Sequence, residues 1–138
     1  MKKEWRWQFR GFQSALEARP VQSWYDNLHE DAKDEIRDLL NYLEKLTSSL
    51  WRRPEFAELH GAGGISELRP PDVALESKGR LETMTYRVYG YFGPTEGVYT
   101  FLHGVRKEVK NDTHGKRIAK ERLRQIEYGE ATTHEFEF

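Results

Sequence analysis

Cysteine is absent from the 138 residues, which excludes disulfides and thiolate metal sites and fits an intracellular chain. No apolar run approaches the length of a transmembrane helix. The opening Met1-Lys2-Lys3-Glu4-Trp5-Arg6 is charged and no apolar stretch follows it, so no secretory signal and a cytoplasmic location are expected. The histidines (His29, His60, His103, His114, His134) show neither His-x-His nor His-x-x-x-His spacing, and no metal site is expected. A nucleophile elbow and a dinucleotide fingerprint are also missing. The cluster Gly61-Ala62-Gly63-Gly64 lacks the Gly-Lys-Ser/Thr of a phosphate loop and reads as a turn, so no cofactor is expected.

What the chain does have is aromatic bulk and an uneven charge distribution. Apolar residues are only 37%, but four Trp, seven Tyr and seven Phe supply large burial per residue. The length suits one domain, 1–138, able to bury roughly two-thirds of its unfolded surface. The net charge is −1, yet residues 26–44 hold seven acids against Lys33 and Arg37. Residues 103–124 hold eight bases (Arg106, Lys107, Lys110, Lys116, Arg117, Lys120, Arg122, Arg124) against Glu108, Asp112 and Glu121. Screening confines the relevant field to about 8–10 Å, so a basic face can bind phosphates on a neutral molecule. Solvated helix faces would produce the same runs.

Periodicity gives the organisation. Trp5, Trp7 and Phe9 alternate with Arg6, Gln8 and Arg10, which predicts a half-buried first strand. Pro20 suits a first helical turn, with Val21, Trp24 and Tyr25 as its apolar face. Leu28, Ala32, Ile36, Leu39, Leu40, Leu43 and Leu46 form one stripe of a longer helix, with Asn27 and Glu30 as a capping pair. Ile65-Ser66-Glu67-Leu68-Arg69 reads as a short strand stopped by Pro70-Pro71. Residues 84–92 and 98–105 read as a hairpin around Gly93-Pro94-Thr95-Glu96-Gly97. Ile118, Ala119, Leu123 and Ile126 mark a last helix, begun near residues 111–113 and stopped at Gly129. The tail His134-Glu135-Phe136-Glu137-Phe138 is a frayed end or an edge strand. The expectation is an α+β fold: a small antiparallel-dominated sheet of about four strands, an N-terminal helical hairpin and a C-terminal helix.

Cations at strand positions are the candidate chemistry. Arg69 ends one strand, Arg87 sits within the next, and Arg106-Lys107 follows the last, so alternation predicts all of them on one face. Arginine converging on a sheet surface suits a phosphate or carboxylate partner. The plainer alternative is internal pairing, of Arg69 with Glu67 or of Arg87 with Glu82 or Glu108.

Three pieces of residues 59–128 fall in a distinctive order: Gly64-Ile65-Ser66-Glu67-Leu68-Arg69, Tyr86-Arg87-Val88-Tyr89, and Phe101-Leu102-His103-Gly104-Val105-Arg106-Lys107. A polar turn, Lys110-Asn111-Asp112, and the helix Ile118-Ala119-Lys120-Glu121-Arg122-Leu123 follow. This ensemble resembles the phage-derived, HigB-like branch of the RelE/ParE toxin superfamily. The resemblance implies a RelE-like fold, a cognate antitoxin as partner and metal-independent, ribosome-dependent cleavage of mRNA. It assigns Arg69 and Arg87 to the scissile phosphate, Arg106 and Lys107 to transition-state charge, and His103 to proton transfer. Lys110, Lys116 and Arg117 would contact RNA phosphates. His103 also alternates with Phe101 and Val105, which suits a structural histidine equally. The ParE branch inhibits DNA gyrase, and a non-catalytic relative that only binds a partner protein is a third reading. The near-neutral charge departs from the strongly basic character of many ribonuclease toxins.

Overall fold

A computed structural model of the chain describes residues 6–138; Trp5, counted above in the first strand, lies outside them. The described elements run β1 (Gln8–Gln13), α1 (Pro20–Asp26), α2 (Glu30–Glu44), β2 (Phe56–Glu58), β3 (Ser66–Leu68), β4 (Val73–Ser77), β5 (Arg80–Met84), β6 (Tyr86–Phe92), β7 (Val98–Arg106), α3 (Thr113–Glu127) and β8 (Thr132–Glu135). Six strands form one mixed sheet in the order β2-β3-β6-β7-β1-β8, and β4-β5 is a separate two-stranded ribbon. No described helix is long and apolar enough to cross a membrane.

This corrects the expected RelE-like sheet of about four strands. The class is α+β, but the sheet is larger and mixed, because β1 runs parallel to β7 (Gln8 opposite Val98, Gly11 opposite Phe101). The tail adds β8 antiparallel to β1, tied through Gly11–His134, and β2 extends the other edge against β3. The β4-β5 ribbon turns at Lys78-Gly79, where both residues take positive φ (52° and 76°), as a tight hairpin requires.

Alternation on the strands and the apolar stripes on the helices together build two cores. On one face, Phe9, Val88, Tyr99 and Phe101 meet Val21, Tyr25, Ile36, Leu39, Leu40 and Leu43 of α1 and α2. On the other, Tyr89 and Leu102 meet Ala119 and Leu123 of α3, with Ile65 beside them. A smaller cluster of Ala32, Val73, Met84 and Tyr86 anchors the ribbon. Gly104 is required by close approach: a Cβ there would collide with the Trp24 indole, so α1 lies directly on β7. A second close approach accompanies the bulge in the β6–β7 register between Tyr89 and Gly90, where Gly90 pairs with Phe101 but Tyr89 pairs with His103. Leu102 is the extra residue, so it and His103 both come to the α3 side.

The helix ends differ from the expected caps. Asn27 terminates α1, with its side chain donating to Ser23 O at 2.7 Å, and does not pair with Glu30. His29 caps α2 instead, its Nδ1 accepting from the Asp31 N–H at 3.0 Å. The start of α3 falls where expected, with Asp112 as the cap.

Leu43 is 1% exposed, so Leu43→Ala should lower unfolding free energy by about 2–5 kcal/mol. Leu16→Ala, at 93% exposure, should leave it unchanged, and denaturant midpoints measured on the two variants check both statements.

Candidate functional site

Strand register decides which cations meet. In β3 and β6, Glu67 lies opposite Tyr89 and Leu68 opposite Val88, so the next step of the ladder sets Arg69 opposite Arg87. In β6 and β7, Arg87 pairs with Val105 and Tyr86 with Arg106. Register partners share a face. Val105 packs into the α3-side core, which puts Arg87 on that face, and Tyr86 packs against the α1 and α2 side, which puts Arg106 on the opposite one. Lys107 alternates back to the α3 side, its N–H donating to Thr85 O at 2.7 Å. Arg69, Arg87 and Lys107 therefore share a face, and Arg106 does not join them. Away from the bulge, consecutive residues of a strand project to opposite faces. Arg106 sits 3.7 Å from exposed Glu108.

The three cations of the shared face are not equivalent. Arg69 Nε donates to Glu67 Oε1 at 2.6 Å, and Glu67 is only 2% exposed. A carboxylate taken that far from water needs its counter-ion, so Arg69 is already committed. Arg87 differs. One terminal nitrogen donates to the Tyr86 carbonyl at 2.8 Å, and its Nε is buried with no hydrogen-bond partner. Among the described residues it forms no ion pair with Glu82 or Glu108, the internal partners considered for it.

Next to this row lies a second, Glu67–Tyr89–His103, one residue from each of β3, β6 and β7. The His103 ring stacks on Tyr89 at 6.3 Å and 14°. From α3, Arg122 donates to Leu102 O at 2.8 Å and lies 3.4 Å from His103 Nδ1. Burial, and then the Arg122 guanidinium, hold the His103 imidazole down at about 4, with nearby Asp112 opposing the shift. The ring is neutral at pH 7, and with Nδ1 facing a donor its proton belongs on Nε2. Tyr89 OH donates to Asp112 Oδ2 at 2.9 Å while Asp112 Oδ1 accepts from Gly115 N–H at 2.9 Å. Burial and the hydrogen bond to Asp112 push the Tyr89 phenol well above its usual range. One carboxylate thus caps α3 and holds the phenol beneath His103.

The remaining candidates lie apart. Lys116 Nζ donates to Asn111 Oδ1 at 3.0 Å. Arg117 lines a groove with Phe12 of β1, two strands away from Arg87. Lys110 is exposed on the turn before α3. Among the described residues, no group of three or more His, Asp or Glu is placed to hold a metal ion. Sequence reasoning missed Glu67 as a buried acid, Tyr89, Asp112 and Arg122. Asp112 had a signal, since it precedes the apolar stripe of α3 at cap distance; Arg122 had only its place four residues after Ile118.

Comparison with protein-family models, curated proteins and solved structures found no match.

The depressed His103 value fixes a pH dependence. Its folded pKa, about 4, lies below the unfolded one, near 6.5, so the unfolded chain binds the proton first. Its contribution to stability is fully present above pH ~6.5 and is lost as pH falls toward 4. Nuclear magnetic resonance should show the His103 ring titrating near 4, and His103→Gln should flatten the loss of stability across that interval.

Proposed function

We propose that this chain is the toxin of a toxin–antitoxin pair and a metal-independent endoribonuclease that cuts mRNA on the ribosome, in the cytoplasm. The observation that carries the reading is Arg87: a guanidinium on a sheet face, without an acidic partner among the described residues, with a buried unpartnered Nε. Leaving a cationic donor unsatisfied is costly, and a guanidinium whose hydrogen bond among the described residues is one contact to a carbonyl keeps terminal N–H donors for a phosphate. The strands bearing Arg87, Lys107 and His103 are also those whose sequence resembles HigB-like toxins.

In the proposed reaction, the ribose 2′-oxygen attacks phosphorus and the bond to the 5′-oxygen breaks, leaving a cyclic phosphate and a free 5′-hydroxyl. The 2′-proton leaves to solvent and the 5′-oxygen takes one from solvent. Arg87 grips two non-bridging oxygens, and Lys107 adds charge as the phosphorane develops. Neutral His103, protonated on Nε2, serves as a hydrogen-bond donor and not as the proton carrier that the resemblance suggests. Arg69 supports the site through Glu67. A cognate antitoxin is the expected protein partner.

Cell-free translation tests this directly. The protein should block synthesis and shorten the transcript, and Arg87→Ala should lose activity by about 10² or more with its melting temperature retained. Arg87→Lys should fail as well, because an ammonium cannot make the bidentate contact. A destabilised but fully active Arg87→Ala, or an intact transcript with inhibited DNA supercoiling, would overturn the proposal.

A further inference from the structure

Along α3, where it passes Phe12 of β1, runs a groove of about 360 Å³. Ile118 and Gln125 line it with Phe12, together with three charged residues, Arg117, Glu121 and Arg122. The charges are not balanced within it. Glu121 lies four residues after Arg117, about one helical turn, and would be its ordinary partner. That carboxylate is taken instead by Arg124, whose Nη2 and Nε donate to it at 2.8 and 3.0 Å, and by Gln125 Nε2 at 3.3 Å. Arg117 is exposed and, among the described residues, has no ion pair.

Arg122 is more constrained. Its guanidinium is half-buried and lies over the Phe12 ring at 5.3 Å. Nη1 donates to Leu102 O at 2.8 Å and reaches His103 Nδ1 at 3.4 Å, and among the described residues no other nitrogen of the group has a hydrogen-bond partner. A carbonyl and a neutral imidazole satisfy one donor but carry no charge, so a cation drawn away from water stands without a counter-ion. Burial accordingly pulls the Arg122 pKa down. Its Nε and Nη2 are not sealed from solvent, and the groove that Arg122 lines gives access to them.

A ligand for this groove needs an apolar body for the walls and an anionic group with paired acceptor oxygens for the forked donors. The volume suits a small molecule, at the lower end of the roughly 300–1,000 Å³ of ligand clefts. A carboxylate matches better than a phosphate, whose further charge and oxygen would be desolvated beside Ile118 and Glu121. We propose that the groove binds a small carboxylate with an apolar body, paired with Arg122 and Arg117. Neither Arg87 nor Lys107 lines it, so the site is independent of the cleavage reading. Occupancy still reaches His103. The Arg122 charge helps hold that imidazole down, and a carboxylate that neutralises Arg122 lets His103 titrate higher.

The experiment titrates the full-length protein with mandelate, an acid strong enough to stay ionised where His103 titrates, with its neutral amide and with phenyl phosphate. Binding is read by calorimetry and by the His103 ring resonances. Mandelate should saturate with a Kd below about 1 mM and bind at least roughly tenfold more tightly than the amide. It should also move the His103 titration upward from about 4. Arg117→Gln, an exposed change, should weaken mandelate binding roughly tenfold with an unchanged melting temperature, and Arg87→Ala should bind it as the parent does. Equal affinity for acid and amide, tighter binding of phenyl phosphate, no saturation, an unmoved His103 titration at saturation, or loss of mandelate binding in Arg87→Ala would overturn the proposal.

Discussion

Strand β7 is covered on both faces, and the rest of the molecule is arranged around that constraint. It runs parallel to β1 and antiparallel to β6, with α1 and α2 over one face and α3 over the other. In its buried first half the side-chain polar atoms have no route to water, so each must find a partner inside. Thr100 Oγ1 donates to Gly93 O at 2.6 Å, and Tyr99 OH meets Ser66 Oγ at 2.9 Å. The bulge at Leu102 is the local break in this order. It lets β7 keep Phe101 in one core and Leu102 in the other, and it delivers His103 to the rim of the second core, where α3 supplies Arg122.

Charge is distributed less generously than the run of bases in residues 103–124 suggests. Arg124 spends its charge on Glu121 and Glu130, each at 2.8 Å. Arg122 lies over the Phe12 ring at 5.3 Å and serves Leu102 and His103. Such commitments take Arg122 and Arg124 out of the cationic surface, and the net charge of the chain is −1. Long-range steering of RNA is correspondingly weak beyond about 8–10 Å, so affinity in the proposed reaction must come from a few close, desolvated contacts. In the proposed reaction Arg87 supplies one.

How much of this was legible follows the physics of each element. The stripe Ile36, Leu39, Leu40, Leu43 was readable because a helix repeats its burial every three to four residues, and all four are buried. Leu123 follows the same logic, whereas Ile118 is only half-buried at the groove beside Phe12. The β6–β7 hairpin was readable from alternation and a Gly-Pro turn. The parallel pairing of β1 with β7 was not, because partners some ninety residues apart leave no local signal. Strand β3 was readable from the prolines that stop it, whereas β2, with three residues, is too short for a period-two pattern to show. At the site, a register of one residue decides which cations meet: Arg87 and Lys107 share a face, and Arg106 lies on the other.

Arg87 and the aromatic cluster around Phe92 occupy opposite ends of one strand. Arg87 and Phe92 are five residues apart on β6, about 17 Å at ~3.3 Å per residue, and alternation sets them on opposite faces. At that distance, with no shared partner, substitutions at the two positions are energetically separable. Between them lies the best-buried part of the sheet, where Tyr89 and Tyr99 are fully covered. A close-packed interior transmits strain only through discrete alternative packings. Here the Asp112–Tyr89–His103 stack is the continuous polar path on the α3 side, and Ser66–Tyr99 is its counterpart near the aromatic cluster. Both paths begin on neighbouring strands, β3 and β6, joined by the backbone hydrogen bonds of the ladder and by Ser66 Oγ, which donates to Gly90 O at 3.4 Å. The sheet therefore works as a rigid partition that holds Arg87 and the Trp7–Trp51–Phe92 rings at fixed separation.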